Sequence, residues 1–165
     1  MNTLLETPGQ QNTRAPASRQ PRPPLRILVV EDDRDIRQLN YEVLIRSGYQ
    51  VDTAEDGDAA WKMLHAVRYD PDRYDLLITD NNMPKVSGVE LVKKLRAAHM
   101  ALPVIMASGA VPPDTEALQL AAILLKPFYP DQLVQRVKEV LHHAYSDREW
   151  KMQTLPLSPL TGRPG

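Results

Sequence analysis

The sequence contains no cysteine, which removes disulfide scaffolds, thiolate metal sites and cysteine nucleophiles at once. It has no excess of either charge: 20 Lys and Arg stand against 21 Asp and Glu, a formal net charge of -1. Binding to a nucleic-acid backbone needs clustered basic side chains, so nucleic acid is not an expected partner. No apolar run is long enough to cross a bilayer, and the first residues lack the apolar centre of a secretory signal. The expectation is a soluble, unexported, cytoplasmic protein without a membrane partner. There is no internal repeat. The first apolar run leads into acidic residues and not into a Gly-rich phosphate loop, which disfavours a dinucleotide-binding enzyme.

What is present fits one globular domain with tails: 165 residues, 42% hydrophobic and 25% charged. Residues 1 to 24 are rich in Pro, Gln, Ser, Thr and Arg and cannot bury enough surface to offset their ordering entropy, so a flexible arm is expected there. Arg14, Arg19, Arg22 and Arg26 make it mildly basic, as a solvated linker often is. Residues 145 to 165 carry Pro156, Pro159 and Pro164 without a stable period and read as a flexible tail. The domain spans 25 to 144, and no output module is expected after it.

Within that span, short continuous apolar runs alternate with helical spacing. Ile27-Leu28-Val29-Val30 reads as a strand buried on both faces, and Ile36, Leu39, Val43 and Leu44 as a helix stopped at Gly48. Val51 to Ala54, Leu76 to Ile78, Val104 to Ala107 and Ile123 to Leu125 give four more strands. Further helices are marked by Ala59 to Val67, by Val89 to Leu95 after a start near Val86 or Ser87, and by Leu133 to Leu141 with Asp131 as its cap. The fourth helix, within 114 to 121, has room for about two turns. Five alternations imply a parallel sheet with helices on both faces.

In such sheets ligands bind beyond the carboxyl ends of the strands. Strand one ends in Glu31-Asp32-Asp33, strand three in Asp80, strand four in Ser108 and strand five in Lys126. Singly, each is as well explained by a turn, a cap or a solvated surface. His65, His99, His142 and His143 read as surface residues and Trp61 as core. Together, crowded carboxylates call for a compensating cation or proton, and with oxygen donors only the expected ion is Mg²⁺. Asp80 is then the natural nucleophile toward a phosphoryl group, Lys126 the ammonium that neutralises it, and Ser108 a hydroxyl that can donate to it. Pro127 restricts Lys126 and allows a cis bond before it.

The stretches ILVVEDD, LLITDNNMPKVSG, PVIMASGA and LLKPF, in this order and spacing, resemble the response-regulator receiver domain of two-component signalling, over about residues 25 to 144. The resemblance implies a flavodoxin-like, doubly wound five-stranded sheet of order 2-1-3-4-5 with five helices, the fourth short. It implies Asp80 as phosphoacceptor and Mg²⁺ held by the carboxylates of Asp32 and Asp80 and the backbone carbonyl of Asn82, with Glu31 acting through water. Ser108 is the switch hydroxyl and Lys126 the phosphoryl contact. The implied donor is a histidine kinase, a histidine phosphotransfer protein or a small molecule such as acetyl phosphate. The protein would then switch an unknown downstream partner or relay phosphate, with at most slow loss of its own phosphate and no enzymatic turnover. A phosphate-independent interaction module on the same fold is the alternative. It is motivated by Ile123 where the family often has an aromatic residue, and by the short run from Ser108 to Lys126. The loop from Tyr69 to Tyr74 is slightly extended. A phosphohydrolase is disfavoured, because the haloacid-dehalogenase pattern needs a second Asp where Asn82 stands. Asn82 and Ala110 leave the path of attacking water open, so a short-lived acyl phosphate is expected.

Overall fold

The computed structural model describes residues 23–70, 73–113 and 115–154. Residues 1–22 of the expected arm (1–24) and 155–165 of the expected tail (145–165) lie outside them. The elements are β1 (Arg26–Val30), α1 (Arg34–Arg46), β2 (Gln50–Ala54), α2 (Gly57–Ala66), β3 (Leu76–Asp80), α3 (Gly88–Ala97), β4 (Val104–Ser108), α4 (Thr115–Leu118), β5 (Ala122–Leu125) and α5 (Pro130–Thr154). All strand pairs are parallel, in the order β2-β1-β3-β4-β5. This is the doubly wound, flavodoxin-like arrangement expected from the sequence.

Alternation along each strand divides the core into two layers, because successive side chains leave opposite faces of a sheet. Leu28, Val30, Leu77, Val104 and Met106 pack with α2, α3 and α4. Ile27, Val29, Leu76, Ile78 and Ile105 pack with α1 and α5. Each large side chain so enclosed contributes roughly 1.5–3 kcal/mol.

Several elements differ from expectation for identifiable reasons. In α1, Ile36 and Leu39 are exposed while Asn40 and Leu44 are buried. The inward face is Arg37, Asn40 and Leu44, rotated by one residue, because Asp33 caps the helix at Asp35 and Ile36 and the Arg37 side chain is drawn back to the β1–α1 loop. The α5 cap is not Asp131, which lies in the first turn. The Gln132 amide oxygen instead accepts from the Tyr129 N–H, and Pro130 occupies the first helical position, where its missing donor costs nothing. The same helix continues to Thr154, well into the stretch read from sequence as a tail. Gly48 adopts φ 91 after α1, as expected of its stop, and the Lys126–Pro127 bond is cis, as the sequence allowed.

Helix α4 is one turn long, shorter than expected. The surrounding backbone is gathered by Arg96 at the end of α3. Its guanidinium donates to the carbonyls of Leu118, Gln119, Met100 and Leu102 at 2.8–3.1 Å.

At the amino ends of the strands, the Arg26 guanidinium lies 4.6 Å from the Tyr74 ring centre and donates to Asp52, which also accepts from the Tyr74 hydroxyl at 3.0 Å. Asp75 accepts from the Arg26 N–H and from the Tyr145 hydroxyl of α5 at 2.6 Å. Burial, followed by the Asp52 carboxylate, pushes the Tyr74 phenol up to about 12. An unfolded tyrosine ionises near pH 10, so between pH 10 and 12 the folded chain keeps a proton that the unfolded chain releases. The Tyr74 contribution is therefore complete below pH 10 and declines toward pH 12. Urea unfolding across this window is expected to show a steeper fall for the wild type than for Tyr74→Phe.

Candidate functional site

The strand register brings the polar residues to one level. Val30 pairs with Thr79, Asp80 with Ala107, and Ser108 with Leu125. Glu31, Asp80, Ser108 and Lys126 thus emerge within a step or two of one another at the carboxyl edge. Glu31, Asp80 and Ser108 are buried, with relative exposures of 3%, 5% and 4%, while Asp32 is open to solvent.

The Lys126 ammonium stands 3.1 Å from Glu31 Oε2 and 3.1 Å from Asp80 Oδ1. Burial works against its charge, but hydrogen bonds to Asp80 and Glu31 outweigh it and hold the Lys126 pKa above the ordinary value. Glu31 is shifted upward as well. Burial is the largest cause, Lys126 opposes it, and the Asp80 charge adds to it. Carboxylate oxygens of Glu31, Asp32 and Asp80 lie within 4.8 Å of one another. Lys126 answers only part of this negative charge, and an all-oxygen donor set with one open carboxylate suits a hard divalent cation such as Mg²⁺. The residues present fit that ion.

The Ser108 hydroxyl accepts weakly from the Ala110 N–H at 3.4 Å, and the Ser108 carbonyl accepts from the Lys126 N–H at 2.9 Å. The first contact ties the hydroxyl to the β4–α4 loop, and the second ties β4 to the backbone of Lys126. Asn82 and Ala110 are exposed on either side.

Residues not singled out from sequence hold this arrangement. The Arg37 guanidinium donates to the carbonyls of Glu31 at 2.6 Å and Asp32 at 3.1 Å, fixing the turn that presents both carboxylates. Asn81 organises the β3–α3 loop: its carbonyl accepts from Met83 and Gly88, and its side chain accepts from the Val89 N–H at 3.2 Å. Lys85, at φ 67, ties the same loop to Asp56, the buried cap of α2, at 2.6 Å. Gly88 packs so closely on the Asp80 carbonyl that a Cβ there would collide with it. The Gly88 signal lay in the SG that closes the second motif stretch. Arg37 and Asn81 gave none, since an Arg in a helix and an Asn in a turn are ordinary.

An acidic pocket thus lies beyond the carboxyl ends of a doubly wound five-stranded parallel sheet, with a lysine bridging two of its carboxylates. The profile described as response regulator receiver domain matches residues 27–138, and the chain belongs to this family. It is 37% identical over 124 residues to the transcriptional regulatory protein CpxR of Escherichia coli (strain K12), covering 73% of this chain and 50% of that protein. It is 32% identical over 120 residues to the response regulator receiver protein CpdR of Brucella abortus (strain 2308), covering 70% of this chain and 96% of that protein. The chain spans between half and two thirds of the CpxR proteins it matches. Among solved structures, it resembles the chemotaxis protein CheY4 of Vibrio cholerae, with a TM-score of 0.62 and 32% identity over 71% of this chain and 98% of that one. The response regulator TrrA of Thermotoga maritima, in complex with Mg²⁺-BeF, gives a TM-score of 0.61 at 33% identity over 70% of this chain and 98% of that one. The family is one of two-component signalling switches and not a classical enzyme family. No described helix is long and apolar enough to cross a membrane.

Two outcomes follow for the site. Gly88→Ala must displace the Asp80 carbonyl or the start of α3, and is expected to lower stability by roughly 1–3 kcal/mol in chemical unfolding. In Lys126→Met, Glu31 loses the bond that opposes burial, so its carboxyl ¹³C titration midpoint is expected to move further upward.

Proposed function

We propose that this chain accepts a phosphoryl group on Asp80 from a histidine kinase or histidine phosphotransfer protein, and that the acyl phosphate changes its affinity for a downstream protein or passes onward in a relay. The single observation that carries the reading is the Lys126 ammonium, 3.1 Å from both Asp80 and Glu31. It supplies a fixed positive charge beside a buried carboxylate. In the transfer, an Asp80 oxygen attacks phosphorus and forms a P–O bond. The P–N bond of the donor phosphohistidine breaks, and its imidazole nitrogen keeps the electron pair. Lys126 then neutralises a phosphoryl oxygen, and the Ser108 hydroxyl donates to another.

Mg²⁺ would supply the remaining charge neutralisation, held by the carboxylates of Asp32 and Asp80, the backbone carbonyl of Asn82 and, through water, Glu31. Rotation of the Ser108 hydroxyl toward the phosphoryl group would act on its contact with the Ala110 N–H, which would couple phosphorylation to the loop ahead of α4. Exposed Asn82 and Ala110 leave the acyl phosphate open to water, favouring a short lifetime. The N-terminal residues to 24 and the residues beyond α5 would serve as linkers or docking segments, and the cytoplasm is the compartment in which such a kinase donor is met.

A second reading is favoured by two observations: Ile123 is aliphatic, and α4 is a single turn. Under it the fold binds its partner regardless of phosphate. Both readings are tested by intact mass after incubation with Mg²⁺ and acetyl phosphate, followed by amide NMR of the product. A single phosphate adduct, absent in Asp80→Asn, with shifts spreading from Ser108 through residues 109 to 125, is the expected result. An adduct without those shifts would favour the phosphate-independent module. No adduct from acetyl phosphate or a kinase donor, with the fold intact, would remove the phosphoacceptor reading.

A further inference from the structure

At the opposite pole from the acidic site, residues 67–69, 73 and 74 after α2 and residues 99–102 after α3 line a cavity of about 320 Å³. Its existence follows from local structure. The connection after α2 is long, and Tyr74 turns inward at its end to become buried. On the other wall His99, at φ 55, reverses the chain after α3 so that Met100 and Leu102 face the space. The two walls are tied together by Arg68, which donates to the Ala98 carbonyl at 2.5 Å. The cavity is therefore a braced feature and not a gap between independent loops.

Its lining has two parts. Leu64, Met100 and Leu102 supply an apolar interior, and Tyr69, 87% exposed, stands at the mouth with the Arg68 guanidinium 5.0 Å from its ring centre. No carboxylate lines it among the described residues, whereas Arg68, Arg73 and His99 do. The C-terminal ends of α2 and α3 both lie at this pole, and their dipoles alone would disfavour an anion. Arg68 offsets the α3 end through Ala98. Among the described residues the Arg73 side chain has no hydrogen-bond or ion-pair partner, so its charge remains available at the rim. Apolar cavities with a few convergent polar groups are the usual form of small-molecule sites, and about 300 Å³ is the small end of that range.

We propose that this cavity is a binding site for a small planar organic anion of one or two rings, its flat body between Tyr69 and the Leu64–Met100–Leu102 interior and its anionic group on Arg73. The site shares no residue with the acidic pocket and stands independently of the phosphorylation reading.

The test is amide NMR of the full chain titrated with 2-naphthoate and, separately, with its neutral counterpart 2-naphthalenemethanol, for wild type and Arg73→Glu. Arg73 is exposed, so this variant keeps the core intact. Saturable naphthoate shifts at Tyr69, Arg73 and Met100 to Leu102 are expected, with affinity at least about tenfold weaker in Arg73→Glu. The alcohol is expected to bind more weakly and alike to both proteins. No saturable shift up to millimolar naphthoate, or shifts centred elsewhere, would overturn the site. Equal binding of acid and alcohol, unaffected by Arg73→Glu, would overturn its anionic specificity.

Discussion

A lysine ammonium held between two buried carboxylates is the contact on which the acidic edge depends. Parallel strands in step deliver their last side chains to one place, and here two of those strands end in acids. Without a cation among them the edge would carry unopposed charge at low exposure, which a fold tolerates poorly. Lys126 relieves Glu31 and Asp80 together from a third strand. Its backbone is also fixed, since its N–H donates to the Ser108 carbonyl. The sheet register and the charge balance are thus two aspects of one arrangement.

The supporting contacts act on backbone and not on the acids themselves. Arg37 holds the carbonyls of Glu31 and Asp32, Asn81 gathers the loop after Asp80, and Gly88 brings α3 against the Asp80 carbonyl. Glu31 and Asp80 can thus spend their contacts mainly on Lys126, because other groups have taken over the task of shaping the turns. Asp33 shows the division within one acidic run: it caps α1, while its two predecessors face the pocket.

The strands and the membership of the pocket were legible because both depend on short-range signals, namely apolar runs flanked by polar residues at their carboxyl ends. Strands buried on both faces, such as Ile27–Val30 and Val104–Ala107, announce themselves in this way. What the sequence hid depends on rotation and reach. A helix face can turn by one residue when its cap and a long side chain demand it, as in α1, where Asn40 displaces Ile36 and Leu39 from the interior. Helix α5 continued past Tyr145 because Tyr145 meets Asp75, 70 residues earlier in the chain, a contact that no local period reveals. Arg37 and Asn81 were hidden for the same reason: their side chains bond backbone groups, carbonyls for Arg37 and the Val89 N–H for Asn81, that almost any residue could offer.

Arg96 gives the shortened α4 region a different character from a slack connection. A planar guanidinium presents its donors as one rigid fork, and four carbonyls from both sides of β4 close on it. One side chain does here what further turns of helix would do elsewhere, since it satisfies backbone acceptors that have lost their usual donors. A fork of this kind cannot yield to one half of the segment and keep the other in place. The stretch around Leu118 and Gln119 is therefore geared to α3, and any displacement of one is a displacement of both.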